Sequence, residues 1–290
     1  MIGIGIGQAW HSAGMNGFDG LVRITEDGKL HIHTGVGNLE TFSHSVATRV
    51  ATEVLKINWG NCILVRGDSR KGLPWNSAQT GNNTTFTETR TNCVAAMDAV
   101  TKLNGIVALE LGVSADDYDI GDEKVFSIKD PFTSIGYADV AKRTIELGGK
   151  YSGQEAVGII AGTGLICVAK DNLEKKGTAP GIVVGFMGIE LDTEAGKYEI
   201  PGRHSVTDCG TVAHYMGLET KINGGAVHGI GKQHWKRPST TRRTAYRQIW
   251  VYINVKLPGS MGITLQMDWN AVDIADPQNP VGAQKVSRNL

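Results

Sequence analysis

Two hydrophobic periods run through this chain, and together they predict alternating strands and helices. Apolar residues alternate with polar ones over Leu21 to Thr25 and again over Lys29 to Thr34. These two runs flank Glu26-Asp27-Gly28, which is hairpin turn chemistry. From Ser43 to Leu55 the period lengthens: Val46, Ala47, Val50, Ala51, Val54 and Leu55 recur at the three-and-four spacing of an amphipathic helix. Cys62 to Arg66 then reads as a short buried strand, followed by a polar loop from Gly67 to Asn83. A long helix runs from Thr85 to about Leu111, with Val94, Met97, Ala99 and Val100 on its inner side and Gly112 as its cap. Tyr118 to Ser127 reads as a strand pair around Gly121-Asp122, and Tyr137 to Leu147 as a helix closed by Gly148-Gly149.

Residues 150–180 lack periodicity and hold Gly153, Gly162, Gly164, Gly177 and Pro180, so the boundary between two subdomains is placed there: 1–150 and 151–290. Beyond it, Val183 to Leu191 and Tyr198 to Ile200 flank the turn Asp192–Gly196. Asp208-Cys209-Gly210 closes another strand. From Leu218 to Ile230 the small residues Gly224, Gly225, Gly229 and Gly231 read as a helix that packs closely on a neighbour.

Composition narrows the class of protein. With 41% hydrophobic residues in 290, the chain can bury a substantial core. The 29 basic and 29 acidic side chains cancel, so no global field favours nucleic acid or an anionic membrane. No apolar run reaches the ~18 residues of a membrane span. The opening Met1-Ile2-Gly3-Ile4-Gly5-Ile6-Gly7 has no basic region and reads as a buried strand, not a leader, which places the chain in the cytoplasm. Four scattered cysteines (Cys62, Cys93, Cys167, Cys209) form no Cys-x-x-Cys pair and read as buried thiols.

Two loops carry candidate chemistry. Gly35-Val36-Gly37-Asn38-Leu39-Glu40-Thr41-Phe42-Ser43-His44 joins a strand to a helix, and free amides at such a junction attract anions. The loop Asp68 to Thr85 also runs into a helix N-terminus, with hydrogen-bonding side chains crowded between Gln79 and Thr85. A turn with ordinary capping by Thr or Ser accounts for either loop taken alone. His31 and His33 share a strand face but lack a third ligand, so no metal site is assigned. No Gly-x-Ser-x-Gly elbow supports a serine hydrolase. Lys232 to Arg247 is basic with few aromatics and reads as a solvated loop.

Taken in order, these segments resemble the C-terminal part of the molybdenum-binding large subunit of the xanthine dehydrogenase/aldehyde oxidase family. The resemblance rests on the first loop, on Asp68 to Thr85, on Glu190–Lys197 with Asp208-Cys209-Gly210, on Ile222-Asn223-Gly224-Gly225 to Gly231, and on Asp276-Pro277-Gln278-Asn279-Pro280-Val281-Gly282-Ala283. It lapses at residues 232–255. It implies an α+β fold with mixed sheets and long helices in two packed halves. It also implies a molybdenum-pterin cofactor (molybdopterin or its cytosine dinucleotide) held by Gly37, Asn38, Glu40, Thr41, Phe42, Gln79, Gly81, Asn82, Thr84 and Thr85. Iron–sulfur and flavin (FAD) groups on partner subunits or domains would take the electrons, and an aldehyde or N-heterocycle would be hydroxylated with water-derived oxygen. The chain departs from the family at several places, among them Phe42 for the loop's second Gly and His214-Tyr215 for Asn-Pro. Thr41 stands near the family's pterin-contacting Gln, Lys221 replaces the Gln before Ile222, and Arg288 falls where the family has its general-base Glu. A guanidinium cannot accept a proton at neutral pH, so no catalytic residue is assigned. A non-catalytic remnant or assembly module that keeps the fold is the alternative.

Overall fold

The computed structural model describes residues 1–14, 17–38, 42–112, 114–153, 158–170, 179–234, 239–240, 247–248, 263 and 266–282. The chain forms two compact units. One holds Ala13–Ala179 with Ala275–Gln284, the other Met1–Ser12, Pro180–Ile274 and Lys285–Leu290. The strands are β1 (Ile2–Ala13), β2 (Gly20–Ile24), β3 (Leu30–His33), β4 (Cys62–Val65), β5 (Tyr118–Gly121), β6 (Lys124–Ser127), β7 (Ser134–Gly136), β8 (Leu165–Ala169), β9 (Ala179–Asp192), β10 (Lys197–Glu199), β11 (Arg203–Asp208), β12 (Ser239–Thr240), β13 (Arg247–Gln248) and β14 (Met267–Ala271). The helices are α1 (Ser43–Leu55), α2 (Thr84–Leu111), α3 (Tyr137–Leu147) and α4 (Tyr215–His234). Mixed sheets and long helices make the fold α+β, as the sequence pattern implied.

The Ala13–Ala179 unit is built on a sheet ordered β4-β3-β2-β8. β2 and β3 form the predicted hairpin, with Leu21 opposite His33 and Ile24 opposite Leu30. β3 and β4 are parallel, and a parallel pair needs a crossover, which α1 supplies. This strand–helix–strand unit matters for everything below. The loop after β3 and the loop after β4 both leave the C-terminal edge of adjacent parallel strands, where open α/β sheets leave a crevice for ligands.

β4 is the edge strand, so it is only half-buried and Ile63 is exposed, not the buried strand its composition suggests. β8 arises inside the segment that showed no periodicity. It pairs antiparallel with β2 and buries Leu165, Ile166, Cys167 and Ala169. As a strand covered on both faces it reads as a short apolar run, which periodicity alone cannot separate from a loop.

The core of this unit packs the inner face of α2 on β2 and β8. Ala95, Ala96, Ala99, Leu103, Ile106 and Val107 line it, while Met97, expected inside, is 57% exposed. Small residues let the helix come close. A Cβ on Gly20 would meet the backbone of Thr91 at 2.6 Å. Gly112 ends α2 in the left-handed conformation (φ 69°), its N–H donating to the Ala108 carbonyl. The Tyr137 hydroxyl donates to the Leu55 carbonyl at 2.8 Å and so satisfies the buried end of α1. A further sheet, β5-β6-β7, adds a third strand to the expected pair.

The other unit is a five-stranded sheet ordered β1-β9-β11-β14, with β10 paired to β9. β9 and β10 form the hairpin expected around Asp192, with Lys197 opposite Asp192. The Asp192 carboxylate accepts from Glu194 N–H (2.9 Å) and Ala195 N–H (3.1 Å), the local bonding that favours Asp in turns. β1 is indeed a strand but not a buried one. It lies at the sheet edge, where Met1 and Leu191 exchange both backbone bonds at 2.7 Å. Ile2, Ile4 and Ile6 remain 78%, 77% and 71% exposed. Glycine at every second position leaves its other face without side chains.

His214 precedes α4, and its ring accepts from Gly217 N–H at 2.9 Å. The buried side of α4 carries Ile222, Ala226 and Ile230, whereas Gly224 is open to solvent and meets nothing within 4 Å of a built Cβ. The basic stretch Lys232 to Arg247 falls mostly outside the described residues. Among the described residues no helix is long and apolar enough to cross a membrane.

Candidate functional site

The two loops singled out in the sequence meet in the Ala13–Ala179 unit. A Cβ on Gly37 would lie 3.1 Å from Oε1 of Gln79. One on Gly35 would lie 3.0 Å from Oδ1 of Asn76 and 3.3 Å from the Pro74 carbonyl, a tight approach that a side chain would press apart by a few tenths of an ångström. Gly37, Asn38 and Gly81 are exposed, while Asn82, Asn83, Thr84 and Thr85 are buried. Phe42 precedes α1 with φ 54°, and neither α1 nor α2 has a side-chain cap bonded at its N-terminus. Both helices thus start at the meeting point of the two loops, and helix N-termini favour anions through the helix dipole. Glu40 and Thr41 lie outside the described residues.

The start of α2 is unusual for a helix interior, because Thr84 to Asn92 are all buried and most are polar. Some of these hydroxyls turn back onto their own helix. Thr89 donates to the Thr85 carbonyl at 2.7 Å and Thr91 to the Thr87 carbonyl at 3.1 Å. Arg90 lies over the Phe86 ring, 5.1 Å from its centre. Thr84 differs: its hydroxyl is buried and has no partner among the described atoms. A buried hydroxyl without a partner costs about 1–3 kcal/mol, a cost that a bound ligand removes.

The surrounding side chains hold the loops in place. His44 donates from Nε2 to the Val36 carbonyl at 3.0 Å, and burial pulls its pKa below the usual histidine value. Thr34 accepts from Val36 N–H at 3.2 Å and donates to the Glu88 carboxylate, joining the first loop to α2. Asn279 arrives from far along the chain and donates to the Thr89 hydroxyl (2.9 Å) and the Phe86 carbonyl (3.3 Å). The Asp276–Gly282 turn is thus docked on the first turns of α2. The sequence marks this segment without placing it at the site; His44 and Asn76 fall within the two candidate loops but carry no individual role there, and Glu88 is not singled out. An isolated Asn or Glu in a polar stretch gives no sign of the distant backbone it will reach.

His31 and His33 have separate tasks. Arg23 donates from Nη2 to His31 Nδ1 at 2.8 Å, and His33 Nδ1 donates to the Gly72 carbonyl at 3.0 Å, tying the second loop to β3. Burial, reinforced by the Arg23 charge, pushes both rings down to about 4. Because the folded values lie below the unfolded value of 6.5, folding favours the neutral rings. Their contribution is complete above about pH 6.5 and is lost as pH falls toward 4. Urea midpoints should therefore decline through that window, and His31→Gln/His33→Gln should flatten most of the decline. An unchanged slope in that double variant would show that other groups set the acid sensitivity.

Comparison with known proteins gives the family and the fold. The molybdopterin cofactor-binding domain family matches residues 1–235, and the chain belongs to it. The fold is that of the molybdenum hydroxylases. The chain is similar to a Cu,Mo-CO dehydrogenase in its carbon monoxide reduced state at a TM-score of 0.79 and 17% identity, covering 99% of this chain and 36% of that one. It resembles quinoline 2-oxidoreductase from Pseudomonas putida 86 at 0.76 and 16%, over 98% and 36% of the two chains. Aldehyde oxidoreductase from Desulfovibrio desulfuricans ATCC 27774 follows at 0.66 and 14%, over 99% and 28%. The chain thus spans about a third of the length of the structures it matches. No curated protein sequence matches it.

Proposed function

We propose that this chain holds a molybdenum-pterin cofactor between the two loops and contributes to a molybdenum hydroxylase. The observation that carries the reading is the meeting of the two loops at the C-terminal ends of β3 and β4, which we read as the cofactor crevice. There Gly37 faces Gln79 and the uncapped start of α2 buries the partnerless Thr84 hydroxyl. The donor set fits the group: backbone N–H from Gly37, Asn38 and Gly81, amides from Gln79 and Asn82, and hydroxyls from Thr84 and Thr85, all suited to an anionic, hydrogen-bonding pterin. Glu40, Thr41 and Phe42 complete the proposed set.

When bound, the cofactor would supply the redox centre for hydroxylating an aldehyde or N-heterocycle with water-derived oxygen, passing electrons to iron–sulfur and flavin groups on partners. This chain's own part is to bind and orient that centre and to keep bulk water from the α2 terminus.

Arg288, outside the described residues, supports a second reading. With a cation in place of the family's Glu, the chain in this reading keeps the fold without the proton-transfer group, as a remnant or assembly module. Pterin fluorescence after oxidative release from purified protein tests the binding proposal. A pterin signal is expected, and its absence from protein made with ample cofactor supply would remove the oxidoreductase reading and favour the remnant.

A further inference from the structure

Asn76 joins three stretches of chain that are far apart in sequence. Its Oδ1 accepts from the Gly35 N–H at 2.5 Å, at the start of the first loop. Its Nδ2 donates to the Asp19 carbonyl at 3.2 Å, at the entry to β2. Its own backbone sits in the second loop, bridged to Phe18, and the neighbouring Trp75 carbonyl accepts from Asp19 N–H at 2.8 Å. Asp19 in turn is paired with Lys170 at 2.8 Å.

A carboxamide is well matched to this place, because it offers an acceptor and a donor on one planar group. Serine could serve one partner only at this reach, and a carboxylate would confront the Asp19 carbonyl with a second acceptor. Gly35 suits this approach, since a Cβ there would press on Asn76 Oδ1 at 3.0 Å.

We propose that Asn76 is a positioning residue that sets the distance between the two loops and thereby the fit of the crevice to its ligand. This rests on the cofactor reading above. The other ties run from each loop to its own support: Thr34 holds the first loop to α2, and His33 holds the second to β3. Without Asn76 each loop stays attached to its own support, while the direct bond from Gly35 to the second loop is lost.

The test uses the full chain and the variants Asn76→Ala, Asn76→Asp and, as a control of purely structural loss, Tyr137→Phe. Tyr137 lies elsewhere in the same unit, bonded to Leu55. Two quantities are read: backbone amide exchange at residues 34–38 and 75–79, and molybdenum retained per chain. Asn76→Ala should speed exchange in both segments at least about tenfold and reduce molybdenum by a similar factor, as loss of an orienting contact commonly does. Asn76→Asp should keep residues 34–38 protected, since it preserves the acceptor for Gly35, and speed exchange at Asp19. Tyr137→Phe should leave both loops and the metal content unchanged.

Unaltered exchange in Asn76→Ala would overturn the proposal, as would an equal metal loss in Tyr137→Phe. Metal-free wild-type protein would refute the cofactor reading alone, and the exchange results would still decide whether Asn76 fixes the loops.

Discussion

Gly20→Val should destabilise the fold by about 3 kcal/mol, near the upper end for overpacking. The size of the effect comes from what the new side chain would meet. A Cβ on Gly20 falls 2.6 Å from both C and O of Thr91 and 2.9 Å from the Asn92 nitrogen, and all three are helix backbone atoms. A flexible side chain could rotate aside, but a helix backbone moves only as a unit. Nor can β2 retreat, because it is bonded to β3 on one side and β8 on the other. The strain therefore spreads into the α2 contact that buries Ala95, Ala96 and Ala99. Denaturant unfolding of the wild type and Gly20→Val measures it. A loss under about 0.5 kcal/mol, the range of ordinary surface substitutions, would contradict the close packing of α2 on β2.

The second large effect is on binding. Gly37→Leu should lower retained cofactor at least about tenfold, equivalent to roughly 1.4 kcal/mol, while leaving the folding midpoint close to wild type. Gly37 is exposed and has a φ that other residues accept, so the fold itself does not need glycine there. What the position lacks is room toward the second loop, with Gln79 Oε1 at 3.1 Å from a built Cβ. A leucine would occupy the crevice and screen the neighbouring N–H groups. Pterin content measured alongside thermal unfolding separates the two effects. Full retention in a stably folded variant would show that the ligand does not pass between Gly37 and Gln79.

Much of the framework was legible in the sequence because it is set by local rules. Ser43–Leu55 emerges with the bounds its periodicity indicates, and both turns at Glu26-Asp27-Gly28 and Asp192–Gly196 form hairpins. The βαβ order of β3, α1 and β4 is also local, and it brings the two loops to one sheet edge. What escaped was set by neighbours distant in sequence. β1 shows strand alternation, yet whether Ile2, Ile4 and Ile6 are covered depends on its place at the sheet edge. Met97 lies on the outer side of α2 because the helix contacts its sheet through the alanines beside it. β8 was hidden because a strand buried on both faces has no polar beat. At the candidate site the glycines and the Thr84-Thr85 pair were visible as motifs. The residues that hold the loops, Asn76, Glu88, His44 and Asn279, act through contacts 8 to 193 residues away and carry no local signature.

The most direct test of the account is the molybdenum content of the purified chain, produced where molybdenum and its pterin are supplied, compared with Gly37→Leu. If the crevice after β3 and β4 holds the cofactor, the wild type should carry about one molybdenum per chain with pterin in equal amount, and the variant a tenth or less. Wild-type protein that is folded but free of both, or a Gly37→Leu variant that keeps its full complement, would contradict it.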